Sequence, residues 1–103
     1  MKRKKIGETH YRASRLCRVL GNPTAYMILI TLAERKMTPS QISKRLGVSL
    51  ATISDTLRSL RQIDLVRYEA KRECKLYWIK DPIVLEIVRR LEAFVKRMRD
   101  KRW

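Results

Sequence analysis

The stretch TPSQISKRLGVSLATISDTLRSL, Thr38 to Leu60, constrains this chain more than any other part. Thr38 is a helix cap, Pro39 suits the first helical position, and Gln41 completes a capping box. The helix so begun ends at Gly47, which tolerates the left-handed backbone of a tight turn. Ser49 then caps a second helix, from Leu50 to about Ile63. Ile53, Leu57 and Leu60 step by i, i+4 and i+7, so one face is buried and the other is free. Two helices joined this closely need a small residue between them, and Ser43 fills that place. Val48 plugs the gap beneath the turn, while Ile53 and Leu57 anchor the second helix. This is the layout of a helix-turn-helix.

The flanks complete a mainly helical plan. A first helix is expected from Thr9 to Leu20, with Ala13, Leu16, Cys17 and Leu20 on one face. Gly21 stops it, and Asn22-Pro23 starts the next, which runs to about Arg35. That helix is apolar nearly all round, which predicts a place at the centre of the domain. After the helix-turn-helix the period changes. Leu65 to Ala70 and Cys74 to Ile79 are rich in Val, Tyr, Trp and Ile, and the charged Lys71-Arg72-Glu73 separates them. This predicts a two-stranded hairpin with an exposed, mostly basic tip. Asp81-Pro82 opens a terminal helix over 82–102. Val84, Val88, Leu91, Val95 and Met98 step by 4, 3, 4, 3, a heptad seam, with Ile83, Ile87 and Phe94 beside it. The plan is about five helices plus a β-hairpin: a basic arm over 1–8, then one domain over 9–103.

Charge narrows the function. Among 103 residues, Lys and Arg number 25 against 10 acids, a formal net charge of +15. Such an excess raises self-repulsion, and its natural use is to neutralise a polyanion. The alternative is an ion-rich surface of thermophile type, but those balance their bases with Glu. No stretch reaches the roughly 18 apolar residues of a membrane span. Met1 to Lys5 runs into polar residues rather than an apolar h-region, so no signal peptide is read and a cytoplasmic location is expected. Cys17 and Cys74 form neither a disulfide framework nor a metal pair. Cys17 reads as a small hydrophobe rather than a redox switch, and the lone His10 as a surface residue. No nucleophile–base pair, paired carboxylates or phosphate loop is present. Neither an enzyme, a cofactor, a metal site nor a small-molecule substrate is expected.

A helix fits the DNA major groove, and its first two turns reach base edges. Ser49, Leu50, Ala51, Thr52, Ser54, Asp55 and Arg58 face outward there. The small ones allow close approach, and the free N–H groups of the helix start suit a phosphate. Asp55 would repel phosphates unless it accepts from a cytosine amino group; pairing with Arg58 or Arg61 on its own helix is the favoured role. Thr38, Ser40 and Arg45 on the preceding helix, and Lys71, Arg72 and Lys75 on the hairpin, complete the candidate DNA-binding set. The tip Lys2 to Lys5 is either solvated charge or an arm that reaches a groove.

Leu20-Gly21-Asn22-Pro23-Thr24, then VSLATISDTLRSL, then LVRYEAKRECKLYWI and the long terminal helix resemble the ArsR-type winged-helix repressors over about residues 10 to 98. The resemblance implies a homodimer joined through the first and last helices, a recognition helix in the major groove, and a wing on the neighbouring backbone. The dimer residues it implies are Ala13, Leu16, Cys17, Leu20, Val84, Val88, Leu91, Val95 and Met98. The metal function is not implied. No cysteines cluster near Met37 to Ser40, and no histidine follows His10. The reading is a homodimeric regulator, most simply a repressor, specific for an inverted repeat in double-stranded DNA. An architectural DNA-coating protein with little sequence preference is the first alternative. A winged-helix protein- or RNA-interaction module is the second.

Overall fold

A computed structural model describes residues 5–99. Lys2 to Lys4 of the basic arm, and residues 100–103, lie outside the described residues. The order is α1 (Glu8–Leu20), α2 (Pro23–Glu34), α3 (Pro39–Leu46), α4 (Leu50–Gln62), β1 (Val66–Ala70), β2 (Lys75–Ile79) and α5 (Ile83–Arg99). The helix boundaries follow local chemistry. Asn22 accepts from the Ala25 N–H at the start of α2, with Pro23 in the first position. Thr38 and Gln41 form the reciprocal capping box of α3, and Ser49 caps α4 through the Thr52 N–H.

The core is one cluster. Ile28 and Leu29 of α2, Ile42 of α3, Ile53, Leu57 and Leu60 of α4, and Val66 of β1 all have 0% exposure. A chain this short buries one modest core, and α2 supplies its centre, packing against every other helix and against β2. It is not surrounded, however. Met27 is 43% exposed, and Tyr26 and Ile30 are only half-buried.

β1 and β2 pair antiparallel, with Val66 opposite Ile79, Tyr68 opposite Tyr77 and Ala70 opposite Lys75. Alternation turns these three pairs toward the body and turns Arg67, Trp78, Glu69 and Leu76 outward. Met37, ahead of α3, adds a short bridge to Tyr77, exchanging both backbone hydrogen bonds at 3.1 and 2.8 Å. The hairpin is entered through Asp64, whose φ of 65° is left-handed. Asp is among the few non-glycine residues that tolerate this region. Its carboxylate pairs with Lys80 across the base of the hairpin and approaches Arg67 at 3.9 Å.

α5 corrects the expected seam. Val84 and Val88 are each 2% exposed, because they pack into the protomer's own core. They have almost no surface to offer a second chain. Leu20, expected on the dimer face of α1, is likewise buried at 8%. The exposed apolar stripe of α5 runs instead through Ile83, Ile87, Leu91, Phe94 and Val95, at 36–64% exposure. At about 100° per residue the 4-3 positions from Val84 to Met98 stay within about 80° of one another. Leu91 and Val95 therefore share the face of Val84 and Val88, and they are exposed because the body covers only the first turns of that face. The radius of gyration, 15.9 Å, exceeds the ~13 Å of a compact domain of this length because the molecule is extended.

Candidate nucleic-acid interface

α3 and α4 are set by their turn. Gly47 stands at φ 68° and ψ 30°. Its N–H and that of Val48 both donate to the Ser43 carbonyl, and the Ser43 hydroxyl donates to the Val48 carbonyl at 2.5 Å. Ser43 therefore does more than avoid a clash: it ties the turn to the end of α3. With Ile53 and Leu57 fixed below, α4 presents Leu50, Ala51, Thr52, Ser54, Asp55 and Arg58 to solvent. Leu50, 49% exposed, is an apolar residue at the prow of this face.

The polar groups of the candidate set divide by what already occupies them. The Ser49 hydroxyl donates to the Thr52 hydroxyl at 2.9 Å and also accepts the capping bond. Asp55 stands 3.7 Å from Arg58 in the same-helix pair favoured from the sequence. Thr38 is half-buried and engaged in its capping box. Arg45 reaches back to Glu34 at 2.5 Å, which directs its guanidinium to the α2–α3 side. Ser40 is exposed at the start of α3. On the wing, Lys71 pairs with Glu69 at 3.0 Å, and that contact holds the Glu69 carboxyl below its usual range. Among the described residues, no carboxylate lies within ion-pair distance of Arg61, Arg72 or Lys75.

Two of those three cations gather at one place that the sequence did not indicate. The Arg61 guanidinium lies 5.3 Å from the centre of the Tyr68 ring, and the Lys75 ammonium 4.7 Å from it. Tyr68 in turn packs on Tyr77, with ring centres 5.2 Å apart. The Tyr77 phenol is pushed up by burial and by Tyr68, while Arg61 and Arg58 pull the other way. The wing and the end of α4 thus form one basic, aromatic crease. On the hairpin's other face Lys36 sits over Trp78 at 4.7 Å. No local pattern marks these groupings, because they depend on the hairpin folding back against helices.

The candidate dimer residues also divide. Ala13 and Cys17 are exposed, and Leu16 is half-buried. Ala13 and Leu16 line a groove of about 480 Å³ against Ile63, Asp64 and Leu65. Leu91 and Val95 are exposed on α5, and Met98 is half-buried. No single helix among the described residues is long and apolar enough to cross a membrane.

One helix braced on a second across a tight turn, with a two-stranded wing beside them, defines a winged helix-turn-helix fold. Residues 20–69 match the model of a family described as a helix-turn-helix domain. The structure of Rv0081 from Mycobacterium tuberculosis has a TM-score of 0.83 and 18% identity, covering 93% of this chain and 97% of that one. A homodimeric winged helix-turn-helix DNA-binding domain from Mycobacterium bovis, from a possible ArsR-family transcriptional regulator, has a TM-score of 0.68 and 25% identity. That likeness covers 98% of this chain and 92% of that one. The transcriptional repressor BigR from Xylella fastidiosa has a TM-score of 0.70 and 20% identity, over 84% of this chain and 86% of that one. No curated protein matches the chain significantly in sequence. The resemblance to ArsR-type winged-helix regulators therefore holds across nearly the whole fold.

Proposed function

We propose that this protein is a transcription regulator that binds double-stranded DNA as a homodimer, recognising an inverted repeat and most simply acting as a repressor. One observation carries the reading. α4 is firmly held from below yet leaves a free face of small and basic residues, next to a wing whose Arg72 and Lys75 have no carboxylate within ion-pair distance among the described residues. The first turns of α4 are assigned to the major groove, with Leu50 and Ala51 against base edges and Ser54 and Arg58 as polar readers. The N–H groups that open α4 suit a phosphate, and Arg72 suits the backbone beside it. The net charge of +15 implies that phosphate contacts dominate affinity and that binding weakens steeply with salt. Two copies joined along α1 and the exposed stripe of α5 would present two recognition helices to successive grooves about 34 Å apart.

The test is selection of bound duplexes from a random pool at near-physiological salt with excess competitor. An enriched inverted repeat, with half-sites about one helical turn apart, is the expected result. Tight binding without a motif would make the protein an architectural DNA-binding protein instead. Failure to retain any duplex would remove the DNA-binding reading.

A further inference from the structure

We propose that Arg61, Lys75 and the ring of Tyr68 form a clamp that holds one backbone phosphate of bound DNA in the crease between the end of α4 and the wing. This assignment rests on the DNA-binding reading above and adds to it a site made by two elements together.

The placement follows from periodicity. Arg61 is seven residues beyond Ser54 and three beyond Arg58, so it continues the outward stripe of α4 by two turns. Lys75 pairs with Ala70, two residues along β1 from Tyr68, so Lys75 and Tyr68 project from the same face of the hairpin. The stripe of α4 and the inner face of the wing meet at the Tyr68 ring.

The electrostatics then ask for an anion. Both cations lie against one ring, so they are within about 10 Å of each other, roughly one Debye length at 0.1 M salt, and they repel. Other bases nearby are already paired: Arg58 with Asp55, Lys71 with Glu69, and Arg67 and Lys80 with Asp64. Among the described residues no carboxylate lies within ion-pair distance of Arg61 or Lys75. The negative face of the tyrosine ring attracts each of them but carries no net charge. Tyr68, itself supported by Tyr77, therefore gathers two donors at one ring while neutralising neither charge. A phosphodiester between them accepts from both and removes their repulsion. A backbone strand leaving the groove read by α4 and passing toward the wing supplies that group.

The clamp predicts a sequence-independent, salt-sensitive contact. The probe is a fluorescently labelled duplex of arbitrary sequence, titrated with the full chain by anisotropy across a salt series. Each lost phosphate contact lowers the slope of log K against log salt by about 0.9. R61Q/K75Q, which gives up the one phosphate, should therefore lower it by about 0.9, so that its loss of affinity between 50 and 200 mM salt is about 3.5-fold smaller than that of the parent. R12Q, on the exposed face of α1, should leave the slope unchanged. Y68L should weaken binding with both charges retained, and Y68F should not. Arg61 and Lys75 are exposed, so the fold survives their replacement, and thermal melts verify this. If the parent binds and R61Q/K75Q keeps its affinity and slope, the clamp is wrong and the wider reading stands. If R61Q/K75Q changes preference among sequences without changing the slope, these side chains read bases and hold no phosphate. If the parent binds no duplex, both readings fall.

Discussion

The body formed by α2, α3 and α4 and the helix α5 use apolar residues in opposite ways. In the body, Ile28, Leu29, Ile42, Ile53, Leu57 and Leu60 are fully enclosed by the same chain. α5 encloses Val84 and Val88, then carries Ile83, Ile87, Leu91, Phe94 and Val95 into solvent. Beyond Val88 its described attachment to the body includes one polar bond, from the Tyr26 hydroxyl to Glu92 at 2.7 Å. The body is a finished object whose packing its own sequence explains. The outer stripe of α5 has no such explanation within one chain, since an apolar row of this length is normally covered. Equivalent hydrophobic spacing thus serves internal stability in one region and an external surface in the other.

The largest effect should separate these two roles within α5 itself. Val88→Asp places a charge among enclosed apolar groups and should abolish folding, read as loss of helical circular dichroism. Phe94→Asp, two turns on, should leave the monomer's stability within about 0.5 kcal/mol while reducing the mass seen by light scattering. A Phe94→Asp protein that stays dimeric would move the interface away from α5. A folded Val88→Asp protein would overturn the division itself. Next in size is a cavity in the body. Leu57→Ala should cost about 2–5 kcal/mol in urea unfolding, enough to leave a small domain mostly unfolded. A loss below ~1 kcal/mol would mean that α4 collapses around the gap and is less firmly braced than its burial implies.

These contrasts explain what could be read from the chain alone. The helix-turn-helix was legible because its determinants are local: the Thr38 and Ser49 caps, Gly47, and the apolar spacing from Ile53 to Leu60. The hairpin ends fell within one residue for the same reason, since the change from helical to alternating period is a local signal. The exposed face of α4 followed once its buried face was known. The terminal seam did not follow. Spacing says which residues share a face, and it does not say whether the covering surface belongs to the same chain. Val84, Val88 and Leu20 were thereby assigned to an interface, although this chain itself buries them. Contacts between distant segments were equally hidden. Met37 against Tyr77, Arg45 against Glu34, and the meeting of Arg61 and Lys75 on Tyr68 all depend on how elements dock.

A smaller effect tests the turn that aims α4. Gly47 has φ 68°, and a Cβ added there would meet nothing within 4 Å. Gly47→Ala should therefore cost only backbone strain, about 1 kcal/mol, and Gly47→Asn less than that. A much larger loss in the alanine variant would reveal a steric role that open space around Gly47 argues against. Equal losses in both variants would show that left-handed strain is not the cause.

The smallest expected effect concerns the joint between the two regions. Tyr26 of α2 donates to Glu92 of α5, and burial, reinforced by this carboxylate, raises its phenol to about 12 from the ordinary 10.0. Only the neutral phenol can donate. Its folded-state value lies above the unfolded one, so the stabilising contribution is complete below about pH 10 and fades as the pH rises toward 12. Tyr26→Phe should remove roughly 0.5 kcal/mol near neutrality, the low end for a hydrogen bond that water can reach. The informative quantity is the difference between parent and variant at each pH. That gap should be steady to about pH 9 and then close as the phenolate forms. A gap that persists to high pH would assign the Tyr26 contribution to ring packing and leave the Glu92 contact without weight in holding α5 to the body.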